Sequence, residues 1–149
     1  MGRNQKKVDE KMQYGFLFEE ALKARQKAYC PYSGFAVGAA LLTKSGKVFL
    51  GCNIESASYS PSNCAERTAF FKAVSEGEYE FEAIAVVGGK LDAEFLELCP
   101  PCGVCRQVMR EFCLPDEFKI ILGRSAQSYT VKTLEEMLPL SFGPEHLND

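Results

Sequence analysis

Two cysteines three residues apart, Cys102 and Cys105, follow a pair of prolines in the segment PPCGVCRQVM, residues 100–109. This spacing at a predicted helix start is typical of a redox pair or of metal ligands, while either thiol alone could pack as a small hydrophobe. A thioredoxin-like redox fold has a different strand order and an aromatic residue before its first cysteine. Zinc would gain from two thiolates on one face of a helix whose N-terminal dipole stabilises negative sulfur. The pattern therefore favours a zinc site, which needs a third ligand.

A third cysteine, Cys64, can complete that site. It follows Asn63, a residue type favoured at helix N-caps, so its sulfur is also expected at a helix N-terminus. Glu66 stands two residues further on, where a carboxylate is not needed as a ligand. Zinc deaminases have the signature [His/Cys]-x-Glu followed later by Pro-Cys-x-x-Cys. In these enzymes the metal activates water and the glutamate moves protons. The sequence therefore predicts a catalytic zinc site, one ion per chain, with Glu66 as the proton carrier.

Cys99 leaves one alternative open, because Cys99-Pro100-Pro101-Cys102 also has the Cys-x-x-Cys spacing. A fourth thiolate would remove the open position that catalysis needs and leave a non-catalytic zinc-stapled binding module. Two consecutive prolines force an extended approach, which should aim the Cys99 side chain away from Cys102 and Cys105.

The elements that must position these residues follow from hydrophobic periodicity and turn residues. Helices are predicted at 12–29, 64–77, 102–113 and 133–138, and strands at 35–43, 48–54, 83–89, 118–123 and 129–132. The apolar strand at 83–89 is continuous, so it should be central and covered on both faces. The element order predicts an α/β fold: a three-layer α/β/α sandwich around one mixed five-stranded sheet.

Length and composition indicate one domain over residues 1–149, with 1–11 expected to form a polar, loosely ordered N-terminal extension. A net charge of -3 and scattered basic residues predict a small-molecule partner and no nucleic acid. No run of 18 apolar residues exists, so no membrane partner is expected. The seven cysteines are an odd number and no secretory signal is recognisable, which predicts reduced thiols and a cytoplasmic location.

The sequence resembles the small homotetrameric cytidine deaminases from about residue 15 to the C-terminus. The resemblance is carried by five segments, Ala28 to Leu41, Gly51 to Glu55, Cys64 to Thr68, Pro101 to Gln107 and Met137 to Phe142. It implies hydrolysis of cytidine and 2′-deoxycytidine to the uridines and ammonia in pyrimidine salvage, by a homotetramer whose subunits complete one another's sites. A blasticidin-S-type deaminase, which has a similar zinc signature, is the alternative within this superfamily.

The resemblance also implies roles that spacing alone leaves open. The implied substrate contacts are Phe35, Asn53, Glu55, Tyr59, Ala65 and Phe142. Asn53 and Glu55 would hold ribose hydroxyls and Phe35 would pack on the pyrimidine, while Tyr59 and Phe142 would lie at sites completed by neighbouring subunits. Without the resemblance, Asn53 and Glu55 could equally be solvent-facing polar residues, and Phe35 and Tyr59 could be core residues.

Two arginines, Arg67 and Arg106, stand close behind zinc ligands. Three thiolates around Zn²⁺ leave one net negative charge, which makes bound water less acidic than neutral imidazoles would, so a base is required. Both arginines are predicted to hydrogen-bond the thiolates and reduce that charge. The alternative is that they are ordinary solvated charges.

Overall fold

Five strands form one mixed sheet in the computed structural model of the protein, which describes residues 13–148. The strands are β1 (Phe35–Thr43), β2 (Val48–Cys52), β3 (Phe81–Lys90), β4 (Lys119–Ser125) and β5 (Ser128–Thr133). Their order across the sheet is β2-β1-β3-β4-β5, with β3 and β4 parallel and the other pairs antiparallel. The predicted mixed five-stranded sheet is confirmed. The predicted N-terminal extension, 1–11, lies outside the described residues.

Helices cover both faces of this sheet. They are α1 (Gly15–Arg25), α2 (Ala65–Ser75), α3 (Gly103–Phe112) and the short α4 (Leu134–Met137), followed by a 3-10 turn, Pro144–His146. On one face α1 buries Phe18 against strand residues such as Ala85. On the other, Phe70 of α2 and Met109 of α3 pack around Ile84. The structure therefore has the predicted three layers. None of the helices within residues 13–148 is long and apolar enough to cross a membrane.

The strand directions explain why two helices begin at the same edge of the sheet. Both β2 and β3 run antiparallel to β1, so they run in the same direction as each other. Helix α2 follows β2 along the chain, and α3 follows β3. A parallel neighbour such as β4 can be reached only by a crossover, which here contains α3. The N-termini of α2 and α3, and the cysteines that precede them, therefore meet at one edge.

The first helix ends earlier than the sequence predicts. The predicted helix ran to residue 29, but α1 ends at Arg25. Tyr29 instead pairs with the chain after β2, because its N–H donates to the Asn53 carbonyl at 3.0 Å and its carbonyl accepts from Glu55 N–H at 2.9 Å. Long-range backbone hydrogen bonds thus replace the last predicted helical turn and bring residues 53–55 against the start of β1.

Candidate active site and metal centre

Three thiols converge where α2 and α3 begin. Cys64 is the N-cap of α2, Cys102 is the N-cap of α3, and Cys105 lies in the first turn of α3. The Cys64 and Cys102 sulfurs are 3.8 Å apart, the Cys102 and Cys105 sulfurs 3.5 Å, and all three lie within 4.8 Å of one another. Within residues 13–148 this is the one group of three or more His, Cys, Asp or Glu side chains that could hold a metal ion.

This donor set fits zinc in both geometry and charge. Thiolates bound to tetrahedral zinc at about 2.3 Å lie about 3.8 Å from each other, close to the separations found here. Hydrogen bonds from the Cys105 thiol, and then from Arg67, lower the pKa of Cys64 to about 5, although burial opposes them. The hydrogen bond that the Cys105 thiol donates to Cys64 also raises the pKa of Cys105. The Cys64 sulfur therefore favours the thiolate, the form in which cysteine binds metal.

Cys99 lies outside the group. Its sulfur packs over β3, since a Cβ added at Gly88 would be 2.6 Å from the Cys99 Sγ. Burial raises the pKa of Cys99 to about 11, which keeps it a thiol at neutral pH. Among the described residues the donor set thus has three sulfurs, and a fourth tetrahedral position is left for water or substrate.

Glu66 lies in the first turn of α2, only 4% exposed. Burial raises the pKa of its carboxyl, and the negative charge of Cys64 acts in the same direction. Both effects favour the protonated carboxyl over the carboxylate. The structure therefore places the predicted proton carrier as a buried carboxyl with a raised pKa.

A cavity of about 340 Å³ opens onto these groups. Its walls are formed by the residues Val37, Asn53, Glu55, Ser62, Asn63, Cys64, Ala65, Glu66, Arg67, Cys99, Pro100 and Cys102. This volume lies within the range of small-molecule sites. The structure therefore brings two predicted ligands, the predicted proton carrier and three of the predicted substrate contacts, Asn53, Glu55 and Ala65, to one cavity.

Asn53 and Glu55 are held by the start of β1. The Asn53 Oδ1 accepts from the Val37 N–H at 2.8 Å, and its Nδ2 donates to the Phe35 carbonyl at 2.8 Å. Glu55 accepts from the backbone N–H groups of Tyr32 and Ser33 at 3.0 and 3.1 Å and from the Ser33 hydroxyl at 2.5 Å. The Ser33 hydrogen bonds lower the pKa of Glu55. An ionised, oriented carboxylate thus faces the cavity.

The three aromatic residues with predicted substrate roles lie elsewhere. Phe35, Tyr59 and Phe142 are 38%, 73% and 57% exposed, and none of them lines the cavity. Tyr59 has a φ of 59°, an uncommon conformation for a non-glycine residue, and contacts the edge of Tyr32. Phe142 stacks on His146 with ring centroids 5.0 Å apart. Within one chain these rings do not join the thiol group.

The two arginines differ from each other. Arg67 donates from Nη2 to the Cys64 Sγ at 3.3 Å, as predicted for a group that reduces thiolate charge. Arg106 was predicted to do the same, but it donates to the carbonyls of Pro101 and Met137 at 2.8 and 3.0 Å. These bonds tie the chain before α3 to the end of α4.

Comparison with known proteins identifies the family. The family model described as "Cytidine and deoxycytidylate deaminase zinc-binding region" matches residues 11–120. The chain belongs to this family. A cytidine deaminase from Halalkalibacterium halodurans is 52% identical over 133 residues, 89% of this chain and 96% of that protein. One from Sporosarcina psychrophila is 47% identical over 132 residues, 89% of this chain and 93% of that protein.

Solved structures of the family have the same fold. The cytidine deaminase from Burkholderia pseudomallei matches with a TM-score of 0.75 and 48% identity, over 85% of this chain and 97% of that one. The cytidine deaminase from Mycobacterium tuberculosis matches with a TM-score of 0.72 and 36% identity, over 87% and 97%. The protein is therefore a zinc enzyme of this deaminase family, and the Cys64, Cys102 and Cys105 group can hold the ion.

Sequence reasoning missed part of the cavity wall and misplaced one cap. Ser62 and Asn63 line the cavity, and the available signal was that their polar loop runs directly into Cys64. Asn63 was predicted to be the N-cap of α2, but that position is Cys64. Asn63 instead pairs its backbone with Ile54, and its Nδ2 donates to the Thr68 Oγ1 at 3.1 Å. This leaves the Cys64 side chain free to point at the other thiols.

Proposed function

We propose that this protein catalyses the hydrolytic deamination of cytidine and 2′-deoxycytidine to uridine and 2′-deoxyuridine, with release of ammonia. The observation that carries the proposal is the buried Glu66 carboxyl, which lines the same cavity as Cys64 and Cys102. The names of the relatives, which are cytidine deaminases at 52% and 47% identity, support the same reaction.

Each proposed catalytic group has one task. Zinc, when bound by the three cysteines, supplies a Lewis acid that makes water nucleophilic at neutral pH. Glu66 takes the proton that the attacking water gives up and delivers it to N3 of the pyrimidine. The water oxygen bonds to C4, and Glu66 then carries the remaining proton of that new hydroxyl to the exocyclic amino group. The bond from C4 to that nitrogen breaks, ammonia leaves, and C4 becomes the carbonyl of the uridine. Arg67 offsets the thiolate charge through its hydrogen bond to Cys64.

The sugar is proposed to bind at Asn53 and Glu55. The Glu55 carboxylate has about four acceptor positions, and three of them accept hydrogen bonds from Tyr32 and Ser33. One position therefore remains for a ribose hydroxyl. The Asn53 amide bridges two backbone groups of β1, which fixes its orientation. A ribose hydroxyl bound there would favour a nucleoside over a free base, because the base alone could not use the remaining acceptor position of Glu55.

The working form is proposed to be a homotetramer in which Phe35, Tyr59 and Phe142 contact substrate or complete neighbouring sites. Support comes from the exposure of all three rings in the single chain. Large aromatic side chains that are exposed in one chain are typical of surfaces that become buried when chains assemble. We assign the enzyme to cytoplasmic pyrimidine salvage, where its seven free cysteines would stay reduced. Light scattering on the active protein should give four chains, and an active monomer would contradict the assembly.

The reaction is tested by an ultraviolet assay of cytidine loss together with metal analysis. Purified protein should contain zinc, and it should convert cytidine and 2′-deoxycytidine to the uridines with ammonia in equal amount. Removing the metal with a chelator should abolish turnover, and added zinc should restore it. Protein that holds zinc but leaves both nucleosides unchanged would instead be a binding module.

A further inference from the structure

The chain after α4 lies along α3 and is held by three side chains of that helix. We call residues 138–146 the C-terminal strap. Arg106 donates to the carbonyl of Met137, the residue just before the strap, and Gln107 donates to the Phe142 carbonyl at 2.8 Å. Arg110 donates from Nε to the Ser141 hydroxyl at 2.8 Å. The spacing of these three donors puts them on one side of α3, and the first of them directly follows the ligand Cys105.

Arg110 makes the largest share of this attachment. It is only 8% exposed, and its guanidinium forms an ion pair with Glu145. The backbone of the strap also crosses the guanidinium, because a Cβ added at Gly143 would lie 2.3 Å from Arg110 Cζ. A buried cation is costly unless its partners are fixed around it. Arg110 therefore holds the strap at Ser141, Gly143 and Glu145 together.

The residue presented by this attachment is Phe142. It lies between two of the positions that Arg110 contacts, and Gln107 holds its carbonyl. One face of its ring stacks on His146, and the ring is 57% exposed. Leu140, two residues earlier, has a φ of 50°, so the strap turns sharply just before this ring. Phe142 is not part of the cavity wall of its own chain.

We propose that Arg110 is a positioning residue for substrate binding: it sets the Phe142 ring so that the ring completes the substrate cavity of a neighbouring subunit. The inference rests on the proposed function and assembly. Since α3 also carries Cys102 and Cys105, one rigid helix both supplies two metal ligands to its own site and fixes the ring that it delivers to the next site.

The test measures KM and kcat for cytidine separately in Arg110→Ala, Gly143→Ala and the double variant. Each single variant should raise KM about five-fold, the scale of one lost aromatic contact, while kcat stays within about two-fold. Gly143→Ala should add nothing in the Arg110→Ala background, because the guanidinium that its methyl group meets is gone. Zinc content and chain number should match the wild type. A kcat loss at unchanged KM, or unchanged KM in both single variants, would overturn the proposal.

Two further variants protect the test against misfolding and against nonspecific charge effects. Glu145→Gln removes the ion-pair partner at a half-exposed position and should reproduce part of the KM increase if Arg110→Ala does not fold. Arg124→Ala is the matched control, because that arginine is 63% exposed in its pair with Glu97 and should keep the wild-type KM. A KM increase in Arg124→Ala equal to that in Arg110→Ala would refute a specific role for Arg110.

Mixed tetramers decide whether the ring acts between chains. Subunits with Arg110→Ala are assembled with excess Glu66→Gln subunits, which lack the proton carrier but have an intact strap. The active sites then belong to Arg110→Ala chains next to intact Phe142 rings, so KM should return to the wild-type value. A KM that stays high would contradict a contact between chains. Wild-type protein that does not turn over cytidine would refute the proposed function itself, whereas an active wild type with unaffected variants refutes only the inference on Arg110.

Discussion

A Cβ added at Gly51 would lie 2.3 Å from the carbonyl oxygen of Ala65. The same atom would lie 2.5 Å from the Ala69 N–H nitrogen, so the backbone of α2 rests directly on β2 at this glycine. Gly51 thereby sets the depth at which α2 lies on the sheet, and α2 carries Glu66 in its first turn after Cys64. The distance between the sheet and the first metal ligand depends on the absence of one methyl group.

Gly51→Ala should therefore destabilise the fold and weaken zinc binding together. The methyl group meets backbone atoms, so α2 must move, and overpacking of this kind costs about 1–3 kcal/mol. Denaturant unfolding and competition with a chelator measure the two effects. Gly103→Ala is the control, because a Cβ there meets nothing within 4 Å. Unfolding and zinc affinity of Gly51→Ala equal to those of the control would show that α2 tolerates the methyl group.

The candidate site was predictable where its pattern is local. Cys102 and Cys105 share one helical turn, and Cys64 and Glu66 share another, so spacing alone indicated which side chains act together. The continuous apolar strand β3 likewise predicted a central position in the sheet. Both helix N-termini meet at one edge because β2 and β3 run in the same direction. The sequence gives these directions only once it is known which strands pair in the sheet.

Features that depend on distant partners were not predictable from spacing. Arg106 binds the carbonyl of Met137, 31 residues away, although it stands beside a ligand in sequence. The end of α1 at Arg25 is set by the pairing of Tyr29 with residues 53–55 and not by helix propensity. From the sequence, Arg110 is indistinguishable from an ordinary charged residue of an amphipathic helix. Its burial depends on the strap, which folds over it.

Glu66→Gln should keep the fold and the zinc but lower kcat by at least about 100-fold, because the amide cannot accept or release the transferred proton. Zinc content, circular dichroism and the ultraviolet assay of cytidine loss measure these properties. Glu76→Gln, at the other end of α2 and exposed, is the matched control and should stay fully active. Turnover of Glu66→Gln near that of the control would remove Glu66 from the proton transfer.

Cys99→Ser should retain about one zinc per chain and normal turnover, since its sulfur packs over Gly88 outside the ligand group. Cys102→Ser should lose zinc and activity, because it removes one of three thiolates. Metal analysis of both variants after dialysis makes the comparison. Equal zinc loss from both would indicate a closed site with four cysteine ligands.

Ser33→Ala should raise the pKa of Glu55 toward its ordinary value, because the Ser33 hydroxyl makes the shortest of its hydrogen bonds and is the main cause of the lowered pKa. A carboxyl with a lowered pKa in the folded protein contributes stability above its unfolded pKa, and that contribution is lost as pH falls through the folded pKa. As pH falls, the variant should lose the stability contribution of Glu55 at a higher pH than the wild type does. A carbon-13 NMR titration of Glu55 measures the shift directly, and an identical titration curve in both proteins would contradict the role of Ser33.

Choice among cytosine compounds should be made at the sugar, because the proposed roles of the thiol group and Glu66 concern only the pyrimidine. The lowered pKa keeps Glu55 ionised, so it can accept a charge-assisted hydrogen bond from a ribose hydroxyl. The same charge repels a 5′-phosphate. No Lys or Arg lies between Lys47 and Arg67 to offset that repulsion, and Arg67 is bound to Cys64.

We therefore expect cytidine to be used far better than CMP or blasticidin S. Glu55→Gln should lower kcat/KM for cytidine about ten-fold or more. It should also reduce the ratio of kcat/KM for cytidine to kcat/KM for CMP, because the amide no longer repels phosphate. Zinc content should not change. Glu117→Gln, in an exposed pair with Lys44, is the control and should keep both the activity and the ratio. Side-by-side assays of the three compounds measure the ratios, and equal kcat/KM for cytidine and CMP in the wild type would show that Glu55 does not select against the phosphate.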